Sequence, residues 1–461
     1  MSTTDPDLPP SWLAVTLGQV VNYGATEKAE PEEITPETWV LELEDVERDS
    51  SRVVQRVPLS ERRSKSTKNR FSRGDVLYGK LRPYLNKVVY ADAPGVCTTE
   101  IVPIRPGPAL VGRYLFHWLR HPEFLRYVTE VSHGVNMPRL GTEAGSRAPF
   151  VLAPIREQQR ISNKLDTVLA RVEACRDRLT RVAPLLKRFR QSVLAAATAG
   201  GLTAEWRRKH CSVTSSISAQ QSVERSPAEL PGGWQCVPLR DLVINMDSHR
   251  IPVKAADRAV RRGPYPYYGA FGVIDSIDEY IFDGKFLLLA EDGKNLESRD
   301  RSIALIATGK FWVNNHAHVL QARPETNLEY LCAWLNCDRC DLTDLLTGID
   351  QIKLTRGAMD RISVPLPPKA EQDEIVRRVE TLFAFADRLE VRLVQAQTVV
   401  DRLTPSLLAK AFRGELVPQD PADEPAAELL KRLARQSPDN GGSSRPGPRR
   451  GRRPASVQDT P

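Results

Sequence analysis

Two long stretches of this chain, residues 154–202 and 368–416, carry the same apolar pattern. In the first, apolar or small residues recur in alternating steps of four and three at Ile161, Leu165, Val168, Val172, Cys175, Leu179, Val182, Leu186, Phe189 and Val193. In the second, the same steps give Ile375, Val379, Leu382, Ala386, Leu389, Leu393, Ala396, Val400, Leu403 and Leu407. Such steps average about 3.5 residues, so each set forms one seam along an α-helix.

The two stretches repeat one another without a gap. Glu157-Gln158 returns as Glu371-Gln372, 214 residues later. A lone helix with an apolar seam is not stable in water, so we predict that the two seams bury each other. The predicted pairing residues are Ile161, Leu165, Val168, Val172, Leu179, Ile375, Val379, Leu382, Leu389 and Leu393. Interior prolines at Pro184 and Pro405 predict a kink or break in each helix.

The repeat extends beyond the helices. Leu8-Pro9-Pro10-Ser11-Trp12 returns as Leu230-Pro231-Gly232-Gly233-Trp234 after 222 residues, and Tyr114-Leu115 returns as Tyr330-Leu331 after 216. The offset drifts in the globular parts and is constant along the helices, because loops tolerate insertions and a helical register does not. The pattern indicates two tandem units, each a globular domain followed by a long helix.

The predicted fold class is therefore α+β, with two tandem mixed α/β domains that contain antiparallel strands. We place these domains at residues 8–152 and 230–366 and the long helices at 153–202 and 367–417. Residues 203–229 are predicted to be a linker because the sequence from Cys211 to Ser226 is rich in Ser and Gln. Residues 418–461 form a C-terminal segment that we expect to be disordered from about 436, where Arg, Pro, Gly and Ser dominate.

Charge and composition limit the function classes. A formal net charge of +7 and a pI near 9.0 suit a nucleic-acid partner without demonstrating one. The first residues lack the apolar core of a secretory signal, and no apolar run approaches the ~20 residues of a membrane span, so we expect a cytoplasmic protein. Seven scattered cysteines argue against a disulfide framework, and the spacing of Cys332, Cys337 and Cys340 matches no common zinc site.

Motifs that would indicate an enzyme are absent from the sequence or better explained otherwise. Gly74 to Lys80 has the spacing of a phosphate-binding loop, but Leu81 follows where Ser or Thr is required. Turn formation accounts for Glu291-Asp292, and alternation on a strand accounts for His316 and His318. We therefore predict no catalytic residue and no metal site.

Each repeat does contain basic residues interleaved with aromatic and amide side chains. The candidates in the first domain are Arg62, Arg63, Lys65, Lys68, Arg70, Lys80, Arg82, Tyr84, Asn86 and Lys87. The candidates in the second domain are Arg250, Lys254, Arg261, Arg262, Tyr265, Tyr267, Tyr268, Asn314, Asn315 and His316. Arg and Lys neutralise phosphates, and Arg and Asn form paired hydrogen bonds with purine edges. One cluster in each repeat of a basic chain makes DNA binding about as well supported as a merely solvated surface.

These sequences resemble the specificity subunit of type I restriction-modification systems over residues 8–417. The resemblance rests on FSRGDVLYGKLRPYLNKV from Phe71 and YPYYGAFGVIDSIDEYIFDG from Tyr265 in the domains, and on LAPIREQQRI from Leu152 and LPPKAEQDEI from Leu366 in the helices. The chain departs from the usual family pattern at Ala199-Gly200-Gly201, where the second copy has Arg413-Gly414-Glu415.

The resemblance implies a subunit that is not catalytic by itself and binds no cofactor. It implies double-stranded DNA, two methyltransferase subunits and, in a full complex, two restriction/translocase subunits as partners. S-adenosylmethionine, ATP and Mg²⁺ are expected on those partners. The helices would pair as an antiparallel coiled coil with a pseudo-two-fold axis, each domain would read half of a bipartite DNA site, and the helices would set the spacing. Two alternatives stay open, a stand-alone DNA-modifying enzyme and a coiled-coil scaffold that does not bind DNA.

Overall fold

A computed structural model of the chain describes residues 8–62, 66–134, 136–210, 230–348 and 351–436. The chain divides into two compact units, one from residues 1–176 and 398–461 and the other from residues 177–397. Both units contain sheets and helices, so the predicted α+β class is confirmed. Each unit combines one globular domain with a part of each long helix.

The described residues of the first unit form ten strands. They are β1 Leu13–Thr16, β2 Lys28–Ala29, β3 Trp39–Leu41, β4 Val57–Pro58, β5 Lys68–Phe71, β6 Val76–Gly79, β7 Val88–Tyr90, β8 Gly95–Cys97, β9 Ile101–Ile104 and β10 Pro149–Leu152. They form a five-stranded sheet in the order β2-β5-β8-β3-β4, a three-stranded sheet β7-β6-β9 and a pair β1-β10. All pairings are antiparallel except β3 with β8.

Short helices cover these sheets and lead into the long helices. They are α1 Leu59–Arg62, α2 Gly112–Trp118, α3 Pro122–Val131 and α4 Thr142–Ser146, followed by α5 Ile155–Thr180, α6 Val182–Thr198 and α7 Ala204–His210. The core of the first unit contains Tyr78, Trp118 and Phe150 together with Ile161 of α5 and Phe412 of the second long helix. Burial of large apolar side chains from both helices attaches them to the domain.

Eight further strands lie in the part of the second unit that the structure describes. They are β11 Gln235–Pro238, β12 Val243–Asn245, β13 Tyr265–Gly269, β14 Gly272–Ile277, β15 Phe282–Ala290, β16 Ala304–Val313, β17 Ala317–Ala322 and β18 Ser363–Leu366. A six-stranded sheet has the order β12-β17-β15-β16-β13-β14, and β11 pairs with β18. Only β13 with β16 is parallel among these described strands.

The helices of this part of the chain follow the same plan. They are α8 Ala255–Val260, α9 Asn295–Ser298, α10 Leu328–Leu335, α11 Arg356–Met359, α12 Lys369–Phe412 and α13 Ala426–Gln436. In the described residues, no helix is both long enough and apolar enough to cross a bilayer.

The internal repeat is visible in matching contacts. The Trp12 indole donates to Glu157 (2.8 Å), and the Trp234 indole donates to Glu371 (3.0 Å). In the first unit, the Trp118 indole donates to the Pro149 carbonyl at 2.8 Å. In the second, the Trp334 indole of α10 donates to the Ser363 carbonyl at 3.1 Å. The two domains therefore share one foundation, formed by β1-β10 or β11-β18 and the start of a long helix, and differ in the sheets built on it.

The glutamine after each glutamate fastens the helix to its domain. The Gln158 amide nitrogen donates to the carbonyls of Ala109 (3.0 Å) and Ala153 (2.8 Å), and its oxygen accepts from the Val111 amide (2.9 Å). Gln372 makes the same set of three bonds in the second unit. Both side chains are fully enclosed, so they satisfy backbone groups that water cannot reach.

The two prolines occupy different positions in their helices. The first long helix ends at Thr180 and restarts at Val182, so the break precedes Pro184 and leaves it in the first turn of α6. A proline is tolerated there because the first turn has no intrahelical partner for the missing N–H group. α12 continues through Pro405, so the helix does not break there, and the alternative of a kink stays a prediction. Burial of Leu408 and Phe412 in the first-unit core stabilises the helix beyond the proline.

Within each unit the two long helices run antiparallel. In the first unit, Arg176 of α5 pairs with Asp401 of α12 at 3.3 Å, while Ile161 shares a core with Phe412. In the second unit, Arg190 pairs with Glu390 at 3.0 Å, and Arg378 donates to the Leu202 carbonyl at 2.8 Å. Increasing residue number on one helix thus corresponds to decreasing number on the other.

The predicted seam is only partly closed. Its buried members are Ile161, Leu165, Val172, Ile375, Val379 and Leu393, and its half-buried members are Val168, Leu179, Leu382 and Leu389. Cys175 and Leu403 of the wider pattern are exposed. Leu169 and Leu408, one residue from predicted positions, are buried instead, because each end of the pair packs against a domain as well as against the other helix.

The predicted linker 203–229 begins with structure. Residues 204–210 form α7, because Thr203 and Arg207 both donate to the buried carboxylate of Glu371 (2.7 and 3.0 Å). Residues 211–229 lie outside the described part of the chain, as does the C-terminal tail after 436 that we predicted to be disordered. Before that point, α13 places Ala426 in the first-unit core and packs Leu430 against it.

Candidate nucleic-acid interface

Several candidate DNA-binding residues of the first domain are already paired within the chain. Arg62 contacts Asp45 and Glu44, and Arg70 lies 3.1 Å from Glu33. Lys68 is 3 % exposed and lies 3.5 Å from Glu42, and Lys87 donates to the Leu43 carbonyl at 2.7 Å. These cations hold strands and loops together. Arg63 and Lys65 lie outside the described residues.

The remaining candidates lie on one loop that follows β6. Arg82 and Tyr84 are exposed, while Pro83 between them is buried. Arg82 and Asn86 have positive φ angles of 50° and 49°. Such angles are uncommon in residues other than glycine and need support from the surrounding structure. The Arg82 amide supplies part of that support by donating to the Pro138 carbonyl at 2.7 Å.

The loop therefore presents two side chains suited to DNA from a fixed backbone. Tyr84 is 43 % exposed, and no side-chain partner of Arg82 or Tyr84 is found in the described residues. Asn86, by contrast, is 9 % exposed and faces the interior. Arg and Tyr can contact base edges, sugars and phosphates, so this loop is the best-formed candidate reading element of the first domain.

The candidates of the second domain divide in the same way. Arg250 pairs with Glu291 at 2.7 Å, and Arg261 with Asp278 at 2.9 Å and Glu279 at 2.7 Å. The aromatic and amide candidates are also engaged, with Tyr265 against Tyr280, Tyr267 buried, Tyr268 against Phe311, and Asn314 accepting from the His316 amide. These side chains build the domain.

Three exposed residues of the second set remain without a partner in the residues that the structure describes. Lys254 and Arg262 flank α8, and Asn315 lies in the turn between β16 and β17. His316 is half-exposed and bound to Asp292 at 2.7 Å. The structure thus places Lys254 and Arg262 close together along the chain and Asn315 on a separate turn.

Some residues beside these loops had no signal in the sequence. Arg139 pairs by a β-bridge with Leu81, directly before the loop that carries Arg82, although it lies far later in the chain. Only the folded arrangement brings it there. A search for clusters of basic residues near each other in sequence could not find it.

A buried ion pair joins β17 to the segment that follows β12. His318 Nδ1 lies 2.7 Å from Asp247 Oδ2, and its Nε2 lies 2.9 Å from the Leu354 carbonyl. Both partners can only accept, so both ring nitrogens donate and the imidazole is protonated. Burial lowers the pKa of His318, but the hydrogen bonds to Asp247 and Leu354 outweigh it and leave the pKa above its ordinary value.

This pair predicts a pH dependence for the second unit. The stabilisation is complete below the unfolded pKa of about 6.5 and is lost as pH rises through the higher folded pKa. Asp247 stays charged in that range because its own pKa is lowered. We expect the urea midpoint of the wild-type chain to fall between pH 6 and pH 9 by more than the midpoint of His318→Gln does. Parallel curves for the two proteins would contradict this.

Comparison with known proteins agrees with the architecture. Residues 231–395 match the family model described as the type I restriction modification DNA specificity domain. The chain is 29 % identical over 356 residues to the type I restriction enzyme EcoDI specificity subunit of Escherichia coli, covering 73 % of this chain and 79 % of that protein. It is 28 % identical over 367 residues to the EcoKI specificity subunit of E. coli strain K12, covering 74 % and 75 %.

Two solved structures share the fold. One, from a study of complex assembly and conformational transition of the type I R-M system, has a TM-score of 0.64 at 19 % identity and covers 88 % of this chain and 99 % of that chain. The HsdS subunit from Thermoanaerobacter tengcongensis has a TM-score of 0.54 at 19 % identity, with coverage of 88 % and 98 %. The chain is thus similar over most of its length to type I restriction enzyme specificity subunits, and residues 231–395 match their DNA specificity domain.

Proposed function

We propose that this chain is the DNA sequence-specificity subunit of a type I restriction-modification complex, in which each globular domain reads one half of a bipartite DNA site. The internal repeat is the observation that supports this function most directly. The same Trp–Glu–Gln foundation supports both domains, while the sheets and exposed loops built on it differ. A duplicated support with two different surfaces suits recognition of two different half-sites.

The long helices set the spacing between the half-sites and dock the methyltransferase subunits. Within each unit the helices pair antiparallel, and α12 is continuous for 44 residues, or roughly 66 Å at 1.5 Å per residue. Exposed apolar residues on these helices include Leu185, Phe385 and Val391. Apolar side chains left on a helix surface suit an interface with another protein.

The subunit is not catalytic by itself. Methyltransferase subunits, two in number, carry S-adenosylmethionine, and two restriction/translocase subunits of the full complex carry ATP and Mg²⁺. Such a complex acts on DNA in the cytoplasm. The family resemblance supports these assignments, and so does the composition of the candidate interface, which combines arginine, lysine, tyrosine and asparagine side chains.

A double substitution tests the division of labour between the domains. We expect Arg82→Ala/Tyr84→Ala to relax or abolish preference for one half-site and to leave the other half-site unchanged, because both residues lie on one domain. Loss of a base contact reduces discrimination by about 1–3 kcal/mol, or roughly 5- to 150-fold. The measurement is selection from a randomised duplex library by the chain with its methyltransferase subunits.

The matched control is Arg126→Ala, which removes an exposed arginine from α3 of the same domain. The control is expected to select the wild-type site. Equal loss of preference at both half-sites in the double variant would contradict a separate reading role for each domain.

A further inference from the structure

We propose that a polar pocket in the first domain holds a backbone phosphate of the DNA duplex. The residues that carry this inference are Lys28, Lys80, Arg139, Tyr23 and Asn69, of which only Lys80 belongs to the basic clusters found in the sequence. The inference rests on the proposed DNA-binding function and specifies how the first domain is anchored.

The pocket is formed by segments that are distant in sequence. It has a volume of about 330 Å³ and lies between the start of β2, the end of β6 and the segment before α4. Lysine, arginine, tyrosine, asparagine and threonine side chains line it, and no acidic residue does. The lining thus offers several hydrogen-bond donors and positive charge to an anion.

The cations of the pocket are incompletely neutralised. Lys28 donates to the neutral amide oxygen of Asn69 at 2.7 Å, and the Asn69 nitrogen is held by the Ile101 carbonyl at 2.8 Å. Arg139 pairs with Glu100 at 3.0 Å. Lys80 has no carboxylate partner among the described residues. Of the three cations, Arg139 alone has a carboxylate partner among the described residues, and a phosphate would balance the remaining positive charge.

Tyr23 supplies a second, independent observation. Its side chain is 4 % exposed, and in the described structure its buried hydroxyl has no hydrogen-bond partner. Tyr23 is also one of the residues that line the pocket, and buried polar groups nearly always have a partner, so a ligand acceptor that reached this hydroxyl would satisfy it. Burial also raises the pKa of Tyr23, which keeps the hydroxyl protonated and able to donate.

The position of the pocket identifies the source of the phosphate. The Leu140 amide donates to the Lys80 carbonyl at 3.0 Å, and Leu81 and Arg139 form a β-bridge. The pocket wall is thus directly continuous with the loop that presents Arg82 and Tyr84. Phosphate contacts fix the register of a protein on DNA, and neighbouring side chains then read the bases. A phosphate seated here would orient the reading loop.

Salt dependence of duplex binding tests the assignment. The probe is a duplex carrying the recognised site, titrated with the chain in complex with its methyltransferase subunits between 50 and 200 mM KCl. We expect Lys28→Gln/Lys80→Gln to reduce the magnitude of the slope of log K against log salt concentration by about 0.9, as for the loss of one phosphate contact. The matched control, Lys164→Gln on the exposed surface of α5, is expected to keep the wild-type slope.

Tyr23→Phe isolates the hydroxyl. We expect this variant to bind the duplex about 3- to 10-fold more weakly, as for loss of one hydrogen bond, while its thermal midpoint is at least that of the wild type, because an unpartnered buried hydroxyl is removed. Because Tyr23→Phe is expected to fold as the wild type does, it tests the pocket even if the double lysine variant misfolds. Wild-type affinity and slope in both variants would overturn the pocket assignment and leave the DNA-binding function intact.

Two further outcomes separate the possible causes of failure. Absence of duplex binding by the wild-type complex would overturn the proposed function together with the pocket. A rise in the wild-type thermal midpoint with inorganic phosphate, lost in the double variant while duplex binding stays unchanged, would assign the pocket to free phosphate and overturn its role on DNA.

Discussion

Duplicating one heptad in each long helix is expected to lengthen the unread gap of the DNA site by about one to three base pairs. Seven helical residues add roughly 10.5 Å at 1.5 Å per residue, and each base pair occupies about 3.4 Å. The gap follows only as far as both domains can still reach the same face of the duplex. Duplication of residues 170–176 and 391–397 keeps the apolar seam, because its steps of four and three repeat every seven residues.

Both helices must be lengthened together. They run antiparallel in each unit, so a single insertion would shift Arg176 away from Asp401 or Arg190 away from Glu390. The control carries the same seven residues after Gln436, outside the paired helices, and is expected to keep the wild-type gap. Mapping of modified adenines in a host that carries each system gives the gap directly. An unchanged gap in the lengthened protein, with both half-sites intact, would contradict the spacing role.

Replacing Gln158 by alanine is expected to lower the free energy of unfolding of the first unit by about 2–4 kcal/mol. The substitution removes three hydrogen bonds and leaves the carbonyls of Ala109 and Ala153 and the amide of Val111 buried without partners. Unsatisfied buried groups cost about 1–3 kcal/mol each, and relaxation with water entry recovers part of that cost. The corresponding Gln372→Ala change should destabilise the second unit similarly.

The neighbouring residue provides a matched control. Gln159 is exposed, and its side chain bonds only Asn163 in the described structure. Gln159→Ala is therefore expected to change the free energy of unfolding by less than about 0.5 kcal/mol. Urea denaturation followed by tryptophan fluorescence reports the effect, since Trp12 and Trp118 lie in the first-unit core. Equal midpoints for the Gln158 and Gln159 variants would show that the glutamine does not fasten the helix.

The long helices could be predicted because their signal is periodic and local. A seam that repeats every seven residues fixes which face is buried, and the constant offset between Glu157 and Glu371 identifies the duplication. The behaviour of the prolines could not be predicted in the same way. Whether a helix continues through Pro405 depends on burial of Leu408 and Phe412 in a core assembled from distant segments.

The candidate interface was harder to predict because charge alone does not report exposure. Arg62 and Arg250 match the expected composition of a DNA-binding surface, yet Asp45 and Glu291 neutralise them inside the domains. Those partners are separated from them in sequence and meet them only in the folded chain. Arg82 and Asn86 both have a left-handed backbone, yet Arg82 is exposed and Asn86 is buried. Composition likewise predicts neither the backbone conformation nor this difference in exposure.

The central claim is that two domains with one foundation read two half-sites held apart by paired helices. Mapping of methylated adenines in a genome that carries the wild-type chain with its methyltransferase subunits tests it most directly. The account predicts two short specified sequences separated by a gap of fixed length and arbitrary sequence, both lost when the chain is deleted. A single uninterrupted recognition sequence, or methylation that persists unchanged without this chain, would contradict it.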